Sequence, residues 1–438
     1  MSTSQETGHE RESSLQLSPE NEVARPPLAT DYGSLLRAFA VRLCVALTLA
    51  VLLLAAVEMY TYWRGTENQN ALEPEVETTI AQGNADEQQY WREQKAAQKV
   101  QYQPYILWRR APFNGHAISI DADGVRRTLH SDCSPGTFTV WIFGDSVMWG
   151  WGSPDSETIP SLVAADYEQA GKPACIINYG EKGWASTQEL IALIELLKHT
   201  DRRPNAVLFY DGGTEAFTAW ENRQDDVHSN YLEFKNYFEG LAAEKKPGFS
   251  YLRQTNTYRR LEHIADRISA KLGHGEESGT SFTEADAQKL APGIMWNYEQ
   301  NMDIVSLLAK QYGFRPIFAW YPNMAVGHKP LTEEEEEVRR AVHKKFPGME
   351  LIYRAAYERC RAVSRPDLYY LGDLLDNVQT QLYMGVAHLN ATGNKIAADK
   401  LFQILQQPAN AIPAGKSPLV SQTRGVPSSK SKASQHPL

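Results

Sequence analysis

Cysteine is scarce in this chain, with four residues among 438, and none stands in a Cys-x-x-C pair or in a His/Cys cluster with metal-ligand spacing. That absence argues against a structural zinc site. Positive charge is also in short supply: 44 lysines and arginines face 53 acidic residues, for a formal net charge of -9. No basic cluster with interleaved aromatics appears, so the sequence gives no reason to expect a nucleic-acid partner. Internal repeats are absent, which sets aside solenoids and arrays. What remains is an ordinary globular share of hydrophobic residues, 42%, enough for one large domain with appendages or two modest ones.

The two ends are poor in core-forming residues. Residues 1–34 are mostly polar, and 1–30 are rich in Ser, Glu and Pro. Residues 408–438 are rich in Pro, Ser and Lys. Both read as disordered tails. Between the first tail and the rest lies Leu35–Val57, with no charge at all from Leu43 to Val57. Counting back to Ala38 gives 20 residues with Arg42 as the sole charge. At about 1.5 Å per residue such a helix spans a bilayer core. Arg37 and Arg42 can snorkel at one end, and Tyr60, Tyr62 and Trp63 suit the opposite interface. The polar stretch before it is longer than a signal-peptide n-region, and no small-x-small cleavage site follows. Residues 35–63 therefore read as an uncleaved, single-pass signal anchor in the inner (plasma) membrane. The arginines precede it and Glu67, Glu73, Glu75 and Glu77 follow. Positive-inside logic puts the N-terminus in the cytoplasm and the bulk of the chain in the periplasm or outside the cell. There one disulfide among Cys133, Cys175 and Cys360 is open, and spacing does not choose the pair.

Residues 64–100, rich in Glu, Gln and Ala, read as a stalk or juxtamembrane helix. From Tyr102 to Asp121 the pattern is an entry hairpin, with Asp123-Gly124 as turn signal. Strands and helices then alternate: strands at Phe138–Phe143, Ala174–Asn178 and Ala206–Tyr210, and helices at Ile159–Ala170 and Ser186–Lys198. Residues 215–292 break that rhythm and read as a helical insertion, with weak patterning at Tyr231–Glu244 and Tyr258–Leu272 and a disordered stretch near Gly273–Ser281. Alternation resumes with helix Trp296–Tyr312, strand Pro316–Tyr321, helices Glu333–Lys345 and Met349–Val363, strand Leu368–Tyr370 and helix Asn394–Gln406. Such alternation predicts an α/β fold with a parallel sheet and crossover helices. The run Glu333–Glu337 reads as the solvated first turns of its helix.

Chemistry concentrates at the ends of these strands. Gly144-Asp145-Ser146 closes the first one. Gly144 permits a sharp turn, and Ser146 then opens a helix, its hydroxyl and N–H facing a pocket whose positive dipole favours an oxyanion. The plain alternative is a helix N-cap. Far downstream, His388-Leu389-Asn390-Ala391-Thr392-Gly393-Asn394 offers a base, or else a helix-capping or core histidine. Asn178 to Thr187, with Gly183, and Asp211-Gly212-Gly213-Thr214 lie at the ends of the next two strands.

In that order, these four blocks make residues 101–407 resemble the SGNH/GDSL hydrolases. The resemblance implies a flavodoxin-like three-layer sandwich around a parallel sheet. It implies Ser146 as nucleophile, His388 as base, and an oxyanion hole from the N–H groups of Ser146 and Gly183. Two positions depart from the pattern. Thr214 stands where the family has an oxyanion-hole Asn, and its hydroxyl is the candidate third oxyanion donor; Gly385 stands where the family has the acid three residues before the His. A backbone carbonyl can replace that acid, leaving a Ser–His dyad, and Asp373 and Asp376 are candidate orienting acids. Trp149, Trp151 and Trp184 lie close in sequence to the presumed site, where flat aromatic faces stack on sugar rings; core packing is the plain alternative. Trp149 and Trp184, with Asp211 and Asn390, are the candidate substrate-binding residues. Trp320-Tyr321-Pro322-Asn323 also falls at a strand's C-terminal end, where ligands bind in open α/β sheets.

The sequence-based expectation is a membrane-anchored esterase that needs no cofactor or metal. It would deacylate a cell-surface carbohydrate or lipid ester, in the neighbourhood of exopolysaccharide biosynthesis machinery. Two alternatives share the fold: an O-acyltransferase acting on an exopolysaccharide, and a non-catalytic glycan-binding or assembly protein.

Overall fold

The computed structural model describes residues 32–70, 85–243 and 282–408. The expected tails (up to residue 31 and from 409), the patterning at Tyr258–Leu272 and the stretch Gly273–Ser281 lie outside the described residues, as do residues 71–84 of the expected stalk. The first segment is one helix, α1 (Tyr32–Asn70). Its stretch Leu36–Tyr60, 25 residues at mean hydropathy 2.5, is long and apolar enough to cross a membrane, and its most apolar window is wholly unburied.

Helix α2 (Ala85–Ala96) precedes two small antiparallel hairpins, where the sequence pattern suggested one. The first pairs β1 (Val100–Gln103) with β2 (Leu107–Arg110), and the second pairs β3 (Phe113–Asn114) with β4 (Ser119–Ile120). The turn at Asp123-Gly124 follows them, and returns the chain so that Arg126 bridges both Ile120 and Asn178.

Five parallel strands form the centre: β5 (Phe138–Gly144), β6 (Ala174–Asn178), β7 (Ala206–Asp211), β8 (Arg315–Trp320) and β9 (Leu368–Tyr370). Their spatial order is β6-β5-β7-β8-β9. Numbered among themselves, the strands run 2-1-3-4-5, the flavodoxin-like doubly wound order. Both sheet faces are covered, so the strands are apolar on successive residues rather than alternating. Trp141, Phe143, Phe209, Phe318 and Trp320 point to one face, against α5 (Ser186–His199), α6 (Gly213–Asn222), α8 (Glu284–Tyr312) and α10 (Met349–Ala362). On that face Phe143, Phe209 and Phe318 stack across three strands, with centroids 5.2 Å apart at each step. Val140, Ile142, Leu208, Tyr210 and Ile317 point to the other, against α4 (Ile159–Gln169) and α11 (Ala391–Leu405). Each such side chain, fully buried, contributes roughly 1.5–3 kcal/mol.

Two sequence-based boundaries move. Helix α6 begins at Gly213 and runs into the stretch read as an insertion from 215, yet its Ala216 and Ala219 are part of the core. Helix α8 starts at Glu284, not Trp296. Pro292 inside it obscured the pattern, while Thr283 supplies the N-cap by accepting from Asp286 N. Helix α7 (Tyr231–Ala243) follows α6 and leaves Tyr237 and Phe238 exposed.

Candidate active site

The chain order reverses between β5 and its two neighbours, and ligands in open α/β sheets bind at such a switch point, beyond the C-terminal strand ends. Gly144 ends β5 there with φ +153°, a conformation that favours glycine. A Cβ on it would lie 2.7 Å from both Tyr210 O and Met148 Cβ, so any side chain would force β5 and β7 apart. The next residues form a single short turn of helix, α3 (Ser146–Trp149), with Asp145 as its N-cap. Four residues carry little macrodipole, so the dipole expected behind Ser146 is replaced by individual N–H groups.

Ser146 Oγ and His388 Nε2 are 2.8 Å apart across 242 residues of sequence. With the imidazole neutral and protonated at Nδ1, the serine hydroxyl donates to Nε2. His388 sits at the tip of a small hairpin in which Tyr383 bridges Leu389 and Met384 N donates to His388 O at 2.8 Å. Glu335 holds the base of that hairpin: one carboxylate oxygen accepts from Leu382 N and Tyr383 N, and the other accepts from Lys329 Nζ and Thr332 N. The residue is fully buried, which corrects the reading of the glutamate run in α9 (Glu333–Lys345) as solvated throughout. Burial, and behind it the charge of Lys182, pushes the His388 imidazole down to about 3. It is therefore neutral, and able to accept a proton, at any physiological pH.

Asp145 is the structural anchor of the Ser146 turn. Its carboxylate accepts from Val147 N at 2.8 Å, Thr214 Oγ1 at 2.7 Å and Tyr321 OH at 2.5 Å. The Thr214 hydroxyl proton is thus committed to a buried carboxylate, which removes it as a third oxyanion donor. The two amides remain: among the described residues neither Ser146 N nor Gly183 N donates to another group. Gly183 has φ +77°, which glycine tolerates best, and its carbonyl accepts from Ser229 Oγ at 2.7 Å.

Four further expectations are corrected by burial or bonding. Trp149 and Trp184 are wholly buried and present no stacking face: Arg126 lies 4.5 Å over Trp149, and the Trp184 indole donates to Trp108 O. Asp211 is buried and accepts from Tyr298 OH at 2.8 Å. Asn390 caps α11, accepting from Gly393 N and donating to Gln381 O. Asp373 and Asp376 make no hydrogen bond to His388. Asp373 pairs with Arg361, and Asp376 accepts from His328 N at 2.8 Å. Gly385 faces the ring instead, and a Cβ there would stand 3.1 Å from His388 Nδ1. Trp320, Tyr321 and Asn323 are also buried supports, not ligand surface.

Two supports escaped the sequence reading. The guanidinium of Arg126 donates to Trp149 O, Gly150 O and Ser153 O and to Asp155 Oδ1, tying down the C-terminal end of the nucleophile helix. Asn178 at the end of β6 donates to Met148 O and accepts from Gly180 N, joining that helix to the Gly183 turn. A lone Arg in a loop carries no motif, although Asn178 opened the block read as catalytic.

No family model matches the chain, and no curated protein matches it. Among solved structures it is similar to a member of the lipolytic protein G-D-S-L family from Veillonella parvula, with 11% identity and TM-score 0.32 over 62% of this chain and 99% of that one. It is also similar to the lipase/acylhydrolase from Enterococcus faecalis, with 13% identity and TM-score 0.30 over 64% of this chain and 99% of that one. A third likeness is to the acetyl xylan esterase AlAXEase, with 14% identity and TM-score 0.31 over 61% and 99% of the two chains.

Proposed function

We propose that this chain is a serine ester hydrolase working through a Ser146–His388 dyad. The observation that carries the reading is the 2.8 Å approach of Ser146 Oγ to His388 Nε2 at the sheet's switch point. His388 takes the serine proton as Oγ attacks an ester carbonyl, and the oxyanion that forms is held by the N–H groups of Ser146 and Gly183. The imidazolium then protonates the departing alcohol. Water, deprotonated by the same nitrogen, releases the acyl group and restores the serine.

The apolar helix Leu36–Tyr60 and the Cys133–Cys175 disulfide support a membrane-anchored protein whose folded domain faces an oxidising compartment. There the substrate class is an acylated carbohydrate or lipid ester at the cell surface. A second reading, a non-catalytic binding module, draws on two observations: among the described residues no acid stands at His388 Nδ1, and the Thr214 hydroxyl is already committed.

Detergent-solubilised full-length protein, treated with a fluorophosphonate and assayed on a small acetyl ester, separates the two. Ser146→Ala is expected to abolish labelling and to lower turnover by at least about 10³-fold, and His388→Ala by about 10²–10⁴-fold. A folded wild type that neither labels nor turns over the ester would sink the hydrolase reading and leave the binding module.

A further inference from the structure

Among the described residues His388 has no acid at Nδ1, yet its ring is not without a partner. The indole of Trp151 lies against it, with ring centroids 4.4 Å apart and planes at 42°. Trp151 is tied to the proposed nucleophile itself, since its backbone N–H donates to the Ser146 carbonyl at 2.9 Å. Behind it stands Trp91, edge-on at 5.4 Å and 67°. Tyr90 packs on Trp91 in turn, at 5.1 Å and 72°. Both of these residues are buried and belong to α2. The helix is pinned by Glu93, whose carboxylate accepts from the N–H groups of His116, Ala117 and Ile118 at 2.8, 2.7 and 3.0 Å. The chain of contacts thus runs from a fixed helix, through two indoles, to the proposed base.

We propose that Trp151, braced by Trp91 of α2, is the positioning residue for His388. The inference rests on the hydrolase reading above. An orienting carboxylate does two things for a catalytic histidine: it fixes the ring, and it stabilises the imidazolium that forms in the transition state. Aromatic packing supplies both in weaker form. The indole restricts rotation of the imidazole away from Ser146. Its face also attracts the cation once the ring is protonated, since the separation is within the roughly 6 Å range of cation–π attraction. Unlike an acid, it adds no negative charge to a buried site. Residues 85–96 are then part of the catalytic apparatus, rather than a spacer between α1 and the domain.

The test uses detergent-solubilised full-length protein and steady-state rates on p-nitrophenyl acetate, with Ser146→Ala as the control for serine chemistry. Trp151→Ala is expected to lower kcat by about 10²-fold, the cost of misplacing a reacting group by about 1 Å, with KM changed less than about twofold. Trp151→Phe is expected to restore most of the rate, and Trp91→Ala to lose about tenfold. Gly385→Asp, placing a carboxylate beside Nδ1, is expected to recover about tenfold in the Trp151→Ala background. That recovery would also establish that the double variant is folded. A rise in KM with kcat intact would overturn the proposal and make Trp151 a substrate contact. An unchanged kcat in Trp151→Ala would overturn it outright. Turnover insensitive to Ser146→Ala, or none in the wild type, would overturn the hydrolase reading instead, and this proposal with it.

Discussion

A histidine serves as a base only while it is neutral, and His388 is held neutral by its surroundings. Burial, with Lys182 behind it, sets its imidazole at about 3 against an ordinary 6.5. The acid limb of kcat/KM is therefore expected well below pH 6, and a pH-rate profile on an acetyl ester checks it. A limb near 6.5 would mean that the ring is more solvated than its packing against Trp151 implies. Gly385→Asp should move the limb upward, because a carboxylate favours the imidazolium. The same depression bears on stability. Below 6.5 the unfolded chain takes up a proton that the folded one refuses, so this residue's contribution diminishes as pH falls from 6.5 toward 3. The position of His388 was legible from its motif, and so was the missing acid. The substitute was not: Trp151 stands close to Ser146 in the chain and reads there as a sugar-stacking candidate, while its contact with His388 spans 237 residues.

Single elements show where sequence reading stops. Strands β5 and β7 were plain as apolar runs, because a sheet covered on both faces demands them. The tryptophans that follow β5 and β6 looked like a stacking surface from sequence proximity to the Ser146 site. Adjacency along the chain does not give facing direction, and Trp149 and Trp184 turn inward. The nucleophile turn depends on a similarly distant partner, Tyr321, whose hydroxyl reaches Asp145 at 2.5 Å across 176 residues. Removing that donor leaves a buried carboxylate under-satisfied. Tyr321→Phe is expected to cost about 1–3 kcal/mol, read as a lowered denaturant midpoint with an unchanged slope. Arg126→Met should cost more, about 3–5 kcal/mol, because it takes the buried partner from Asp155 Oδ1, leaving Oδ2 to Arg127 and Ser119 N, and frees three carbonyls in and after α3. If the two variants proved equally mild, the nucleophile turn would be held by packing and not by these bonds. The disulfide joins the loop before β5 to β6 and closes 42 residues. Reducing it, or Cys175→Ser, is expected to lower stability by about 4 kcal/mol on the chain-entropy account. Cys360, buried in α10, stays outside that pairing.

At the scale of the whole molecule, the unusual feature is a group of acids in the interior beneath the site. Asp145, Glu189, Asp211 and Glu215 are all buried, and burial raises each above its ordinary value. Glu189 is pushed further by the charges of Asp211 and Glu215. Asp145 and Glu215 accept several hydrogen bonds, Asp211 accepts one from Tyr298, and the Glu189 carboxyl is hydrogen-bonded to Asp211, a contact that requires a proton on one of the two and so holds Glu189 in its neutral form. When a folded-state value lies above the unfolded one, the unfolded chain gives up its proton first as pH rises. Stability is then full below the unfolded value of about 4.3 and declines as pH climbs toward the folded value. The domain should accordingly lose melting temperature from pH 5 to pH 9, and Glu189 should account for a measurable part of the slope. Glu189→Gln keeps the shape and removes the titration. Its expected signature is a flatter decline, with a higher Tm than wild type at pH 8 and little difference at pH 5. A gain of about 1 kcal/mol would appear as about 2–4 °C in a domain of this size. Parallel slopes for the two proteins would mean that Glu189 does not titrate in this range, and the alkaline sensitivity would then have to be sought in Asp211 or Glu215.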